Sequence, residues 1–192
     1  MCRGKYMQIQ FVTSNEGKFR EVAEALARKG FELQWKKQTY PELQVSTLEE
    51  VVDAGLKWLR ERLGPDTHFM LDDSGLFIPA LKDFPGVYSA YVYKTVGNDG
   101  MLRLMEGQKD REARFECMIG FYSPSSGFRK FKGVCEGSIG TKPAGKEGFG
   151  FDPIFIPKGE KRTFAEIGIE EKNSFSHRGK AVEELLKYLE KL

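Results

Sequence analysis

The chain has 192 residues, of which 40% are hydrophobic and 30% charged, and its formal net charge is +2. That length holds one ordinary domain with a real core, and the composition excludes a disordered chain. The near balance of charge argues against a surface built for nucleic acid, and no apolar run approaches the roughly 18–20 residues that span a bilayer. Residues 1–6 lack the apolar centre of a secretory signal and read as a non-essential extension ahead of Met7. Cys2, Cys117 and Cys135 are odd in number and show no CxxC spacing, so neither a zinc site nor a disulfide frame is indicated, and a cytoplasmic setting is expected.

In chain order, residues 8–12 read as a buried strand, 13–18 as a polar turn, and 19–29 as an amphipathic helix stopped by Gly30. A short strand follows over 31–36, then a bend over 40–43. Thr47 and Glu50 form a capping box that opens a helix running to about Leu63. Residues 68–71 read as an apolar strand that ends at Asp72-Asp73-Ser74-Gly75, a turn before a second apolar run. A helix is expected over 95–105. Two strands paired as a hairpin, about 112–139, look like a separate lobe. After a glycine-rich loop, residues 163–167 read as a last short strand and 176–192 as the closing helix. The pattern predicts an α/β fold: one domain over 1–192, with a mixed sheet, flanking helices and two lobes around a central cleft.

Five segments carry chemistry. Adjacent acids at the end of a buried strand repel each other and resist burial unless a cation or proton sits between them. A divalent metal facing a polyphosphate is one reason to tolerate Asp72 beside Asp73; a solvated turn is the plainer one. The turn from Thr13 to Lys18 puts donors and a helix N-terminus where an anion could bind. It is not a Walker A loop, because Val12 and Phe19 stand where that motif has Gly and Ser or Thr. An ordinary N-cap would look the same. Phe84-Pro85-Gly86-Val87-Tyr88-Ser89 continues the acidic segment. Gly148-Phe149-Gly150-Phe151-Asp152 is a tight turn with two rings, suited to stacking on a base or on itself. Ser176-His177-Arg178-Gly179-Lys180, with Lys172 upstream, gathers cations at a helix start, which opposes the helix dipole unless an anion compensates. A Ser/His/Asp hydrolase has no G-x-S-x-G elbow around Ser74, and two histidines, His68 and His177, are too few for zinc chemistry.

Together, in this order, these segments resemble the inosine triphosphate pyrophosphatase family, the dITP/XTP pyrophosphatases. The resemblance implies an elongated mixed sheet around a central cleft, a homodimer, and Mg²⁺-dependent hydrolysis of a non-standard purine nucleoside triphosphate to the monophosphate and pyrophosphate. By position, Thr13, Asn15 and Lys18 would hold the triphosphate, with Ser14, Glu16 and Gly17 in the same turn. Asp73 would be metal ligand and proton acceptor, Asp72 would support it in the catalytic pair, and Glu42 would complete the metal site. Ser74 would touch the substrate. Phe149, Gly150, Phe151, Asp152, Lys172, His177 and Arg178 would bind the base and sugar, with Arg178 or amides near His177 donating to a 6-oxo group. Lys57 stands where the family often has a helical lysine near the phosphates. The alternatives are a Maf-like pyrophosphatase, a nucleotide sensor without turnover and a nucleic-acid binder. No membrane or nucleic-acid partner is expected.

Overall fold

The structure, a computed structural model, describes residues 8–41 and 44–192. Glu42, Cys2 and the 1–6 extension lie outside the described residues.

Among the described residues seven strands form one mixed sheet, in the order β2 (Leu33–Lys36), β1 (Ile9–Val12), β3 (Phe69–Ile78), β5 (Glu112–Ser123), β6 (Gly127–Ile139) and β7 (Phe155–Pro157), with β4 (Phe84–Gly86) beside β3. The apolar run of β1 (Ile9–Val12) pairs in parallel with β2 (Leu33–Lys36) and with β3 (Phe69–Ile78), and the connections are helices, as parallel pairing requires. These are α1 (Glu16–Ala27) and α2 (Leu48–Leu63). Thr47 caps α2 in a full capping box with Glu50. The second half of the sheet is antiparallel. β5 (Glu112–Ser123) and β6 (Gly127–Ile139) make the expected long hairpin, and β7 (Phe155–Pro157) closes that edge.

Side-chain alternation along β3 decides what each face meets. Met70 packs with α1 and the closing helix α6 (His177–Leu189). Phe69 and Leu71 face the other way and pack with α2. Leu76 and Ile78 belong to a third apolar cluster, with Phe115 of β5 and Met101 of α4 (Gly97–Leu104). The polar residues Asp72, Asp73 and Ser74 therefore fall between three hydrophobic cores.

Several readings of the sequence need correction. The acids do not end a strand. β3 runs straight through them, paired with β5 from Phe69 to Phe77. Gly75 is there for close approach rather than a turn, since a Cβ would lie 2.3 Å from the Gly86 carbonyl oxygen of β4 (Phe84–Gly86). The helix expected over 95–105 is two, α3 (Ser89–Thr95) and α4, broken at Gly97 with φ of 66°. The strand expected over 163–167 is a 3₁₀ turn, Phe164–Glu166, because Thr163 and Glu166 form a second capping box. A short helix, α5 (Ile169–Asn173), precedes α6 and was not foreseen.

Candidate active site

The site begins where β1 leaves β3. β1 pairs with β3 only at Gln10 and Phe11, then turns away at Thr13 into α1. β4 takes up the same edge of β3 from Leu76 onward. Between them the edge is held by side chains: the Asp72 carbonyl accepts from Lys18 Nζ at 3.2 Å and from Tyr40 Oη at 3.0 Å. A strand end at such a divergence is where open α/β sheets bind ligands. From its bond to the strand edge Lys18 also reaches both neighbouring acids, 3.4 Å from Asp72 Oδ1 and 3.9 Å from Asp73 Oδ1.

The turn before Lys18 is built by its own polar side chains. Asn15 caps α1, its Oδ1 accepting from Lys18 N at 3.1 Å, and Asn15 N donates to Thr13 Oγ1 at 3.1 Å. Ser14 and Glu16 are exposed. Gly17 makes room for an aromatic ring: a Cβ there would lie 2.4 Å from Phe149 Cδ1.

Asp72 and Asp73 have different environments although they are adjacent. Asp72 projects to the α1–α6 side, where its side chain has no exposure. Its Oδ2 accepts from Arg178 Nε at 3.0 Å. Arg178, 1% exposed, also donates from its two terminal nitrogens to Glu21 Oε2 and, at 2.9 Å, to Ser74 Oγ. Glu21 Oε1 and Asp152 Oδ2 each accept from Lys172 Nζ at 2.7 Å. A chain of alternating charge, Asp72–Arg178–Glu21–Lys172–Asp152, thus runs through the interior and joins β3, α1, α5, α6 and the glycine-rich turn. The anions that compensate the cations around the start of α6 are the protein's own carboxylates.

Burial pushes the Asp72 carboxyl up, but the charges of Lys18 and Arg178 outweigh it and hold it below its usual range. Glu21, also desolvated, is drawn down by Arg178 and Lys172. Asp152 is raised, because burial and the Glu21 charge exceed what Lys172 returns. Burial and the surrounding cations push His177 well down, so its imidazole is neutral, and its Nδ1 has no hydrogen-bond partner. The ring stacks on Phe115, with centroids 4.7 Å apart.

Beside this chain opens a cleft of about 290 Å³. Asn15, Lys18, Asp73 and Ser74 form one part of its wall, and Phe149, Gly150, Phe151, Asp152, His177 and Arg178 another. Most residues singled out in the sequence therefore meet at one place. Asp72, expected in the catalytic pair, does not line the cleft; it braces Lys18 and Arg178. Phe151 is 3% exposed, a core residue packed edge-on against Tyr93 with centroids 5.5 Å apart. Thr13 is buried beneath the turn, and Lys57 is exposed on α2, away from the cleft lining. Glu21, Tyr40, Tyr93 and Lys94 were missed. A Glu next to the apolar stripe of a helix reads as solvated, and its partners Lys172 and Arg178 are more than 150 residues away.

Metal binding can be tested against the donors. No group of three or more His, Cys, Asp or Glu side chains able to hold a metal ion occurs among the described residues. The cleft wall offers the Asp73 carboxylate, a hard oxygen donor suited to Mg²⁺, which ordinarily completes its shell with water and phosphate oxygens.

The fold and this constellation define an α/β protein with an acid–lysine corner in a cleft that aromatic residues also line. The Ham1 family model matches residues 9–188, and the chain belongs to that family. It is 53% identical to a dITP/XTP pyrophosphatase of Pyrococcus horikoshii over 95% of this chain and 97% of the relative. It is 51% identical to one of Thermococcus kodakarensis, with the same coverage. Among solved structures, the Staphylococcus aureus Ham1 protein superposes with a TM-score of 0.79 at 29% identity, covering 94% of this chain and 98% of that one. A Ham1 protein from Coxiella burnetii gives 0.79 at 31% identity, covering 97% and 100%.

Proposed function

We propose that the chain is a nucleoside triphosphate pyrophosphohydrolase, which converts dITP, ITP or XTP and water to the monophosphate and pyrophosphate. The names carried by the relatives supply the substrate class. The observation that carries the chemistry is Lys18 Nζ 3.9 Å from Asp73 Oδ1, on the wall of a cleft that Phe149 and His177 also line.

The turn at the start of α1, with Asn15 and Lys18, receives the phosphate chain against the positive end of the helix. Asp73 takes the proton from the water that attacks the α-phosphorus. Lys18 stabilises the charge that develops on the departing pyrophosphate. Asp73, with Glu42, would hold Mg²⁺, whose charge offsets that of the phosphates and orients them. Asp72 is unsuited to take the proton, because two cations hold it ionised; it keeps Lys18 and Arg178 in place. Phe149, packed on Gly17 beside the turn, offers a ring face and neutral His177 an unpartnered nitrogen to a purine. Arg178 has three of its donors engaged by Asp72, Glu21 and Ser74, so its part in reading a 6-oxo group is smaller than the sequence suggests.

The homodimer implied by the resemblance and the cytoplasmic setting read from the cysteines belong to the same reading. Large side chains stand exposed at Phe84, Tyr88 and Tyr91, the kind of residue that subunits cover, and Cys117 and Cys135 are free thiols. No described helix is long and apolar enough to cross a membrane. The test is hydrolysis of a nucleotide panel with and without Mg²⁺, with monophosphate, pyrophosphate and orthophosphate measured separately. Monophosphate and pyrophosphate from dITP and XTP are expected in excess over those from ATP. Orthophosphate as first product would overturn the reading.

A further inference from the structure

β2 is a four-residue edge strand, and nothing in its sequence marks it for function. Its Trp35 nevertheless touches both ends of the turn that carries Ser14, Asn15 and Lys18. The indole Nε1 donates to the Thr13 carbonyl at 2.9 Å. The ring stacks on Phe19, with centroids 4.9 Å and planes 12° apart. Thr13 N donates to the Lys36 carbonyl at 3.2 Å, so both backbone polar groups of Thr13 are held by β2. Phe19 in turn leans on Phe11 of β1, with centroids 6.3 Å apart. The turn itself sends Ser14 and Glu16 into solvent and contributes no side chain to the apolar clusters before Phe19. Beyond the bonds of Thr13 and Asn15 within it, its shape depends on how its two ends are tied.

We propose that Trp35 is a positioning residue for this turn: it fixes Thr13 relative to Phe19, so that Asn15 and Lys18 meet a polyphosphate in one geometry. The proposal rests on the reading above that the turn receives the phosphate chain. Misplacing a positioning group by ~1 Å can cost about a hundredfold in rate. A ring that served packing alone would change the melting temperature and leave the kinetics unmoved.

Two variants test it. Trp35→Phe keeps a ring on Phe19 but removes the N–H that meets the Thr13 carbonyl. It should lower kcat/KM for dITP about three- to tenfold and weaken inhibition by inorganic pyrophosphate by a similar factor, with little change in melting temperature. The second variant leaves Trp35 in place. The chain has two tryptophans, and the other, Trp58, lies on α2 under Arg62. In Trp58→Phe, Trp35 is the sole indole, and inorganic pyrophosphate with Mg²⁺ should shift its emission without turnover. The proposal is overturned if Trp35→Phe leaves both constants within twofold of the parent, or if saturating pyrophosphate leaves the emission unmoved. Should Trp35→Phe fail to fold, the emission measurement decides alone. A parent enzyme inert toward dITP and XTP would overturn the proposed function, whereas the response to pyrophosphate would still decide the role of Trp35.

Discussion

The buried ion chain and the cleft wall are built from the same residue types, yet they do opposite work. In the ion chain, Asp72, Glu21 and Asp152 alternate with Arg178 and Lys172, and every charge has an opposite neighbour within about 3 Å. Charges matched so closely hold one another in place, so they fix geometry. On the cleft wall, Asp73 keeps 20% of its side chain exposed and faces Lys18 at a longer distance. There a carboxylate can meet water, phosphate and metal. Exposure, rather than residue type, separates the two neighbouring acids.

The largest test of this contrast is Asp73→Asn. On the proposed reading it removes a ligand charge and a proton acceptor from the cleft, while Asp72, Glu21 and Asp152 keep their contacts with Arg178 and Lys172. Turnover should fall by about 10²–10⁴-fold, while the melting temperature stays within a few degrees. Retained activity would mean that the chemistry lies elsewhere. Arg178→Ala should behave the other way round. It leaves Asp72 and Glu21 each short of a buried cation and should destabilise by about 3 kcal/mol, read as a lower urea midpoint. A stability near that of the parent would show that the chain is not the frame it looks like.

A smaller effect sharpens the comparison through pH. His177 sits neutral among the cations of the ion chain, with its folded-state pKa depressed. The unfolded chain takes up a proton near pH 6.5 and the folded one does not, so stability is fully present above that pH and lost as pH falls. Between pH 6.5 and 5.5 the loss should be about 1 kcal/mol. His68, also lowered by burial, acts in the same direction, so the comparison is with His177→Asn, which should lose less over that interval. Equal slopes would mean that His177 titrates normally. Least of all, Lys57→Ala should change stability by less than about 0.5 kcal/mol and kcat/KM by less than twofold. A large loss would bring α2 into the site.

Much of this was legible from local pattern. The capping box at Thr47 and the β5–β6 hairpin have local signals, and the structure contains both. The family resemblance rests on short segments in order, and the Ham1 match agrees with it. What escaped was set by partners far along the chain. Asp-Asp-Ser-Gly has turn chemistry, but nine consecutive pairings with β5 keep it extended. Glu21 looks like any helix-surface acid until α5 and α6 place Lys172 and Arg178 against it. The 163–167 segment, by contrast, did carry a local cue, Thr163 three residues before Glu166, which competed with a β-like apolar pattern and won.

Continuity of β3 through the acids has one more consequence. Because a strand presents its residues to alternate sides, the position of Asp72 and Asp73 is a matter of parity. Removing one residue between the β1 pairing at Met70 and the acids would hand the wrong carboxylate to Arg178 and turn the other toward α2. Inserting two would preserve the parity. Length variation at this point of the chain is therefore constrained to even steps, in a way that no count of charged residues would reveal.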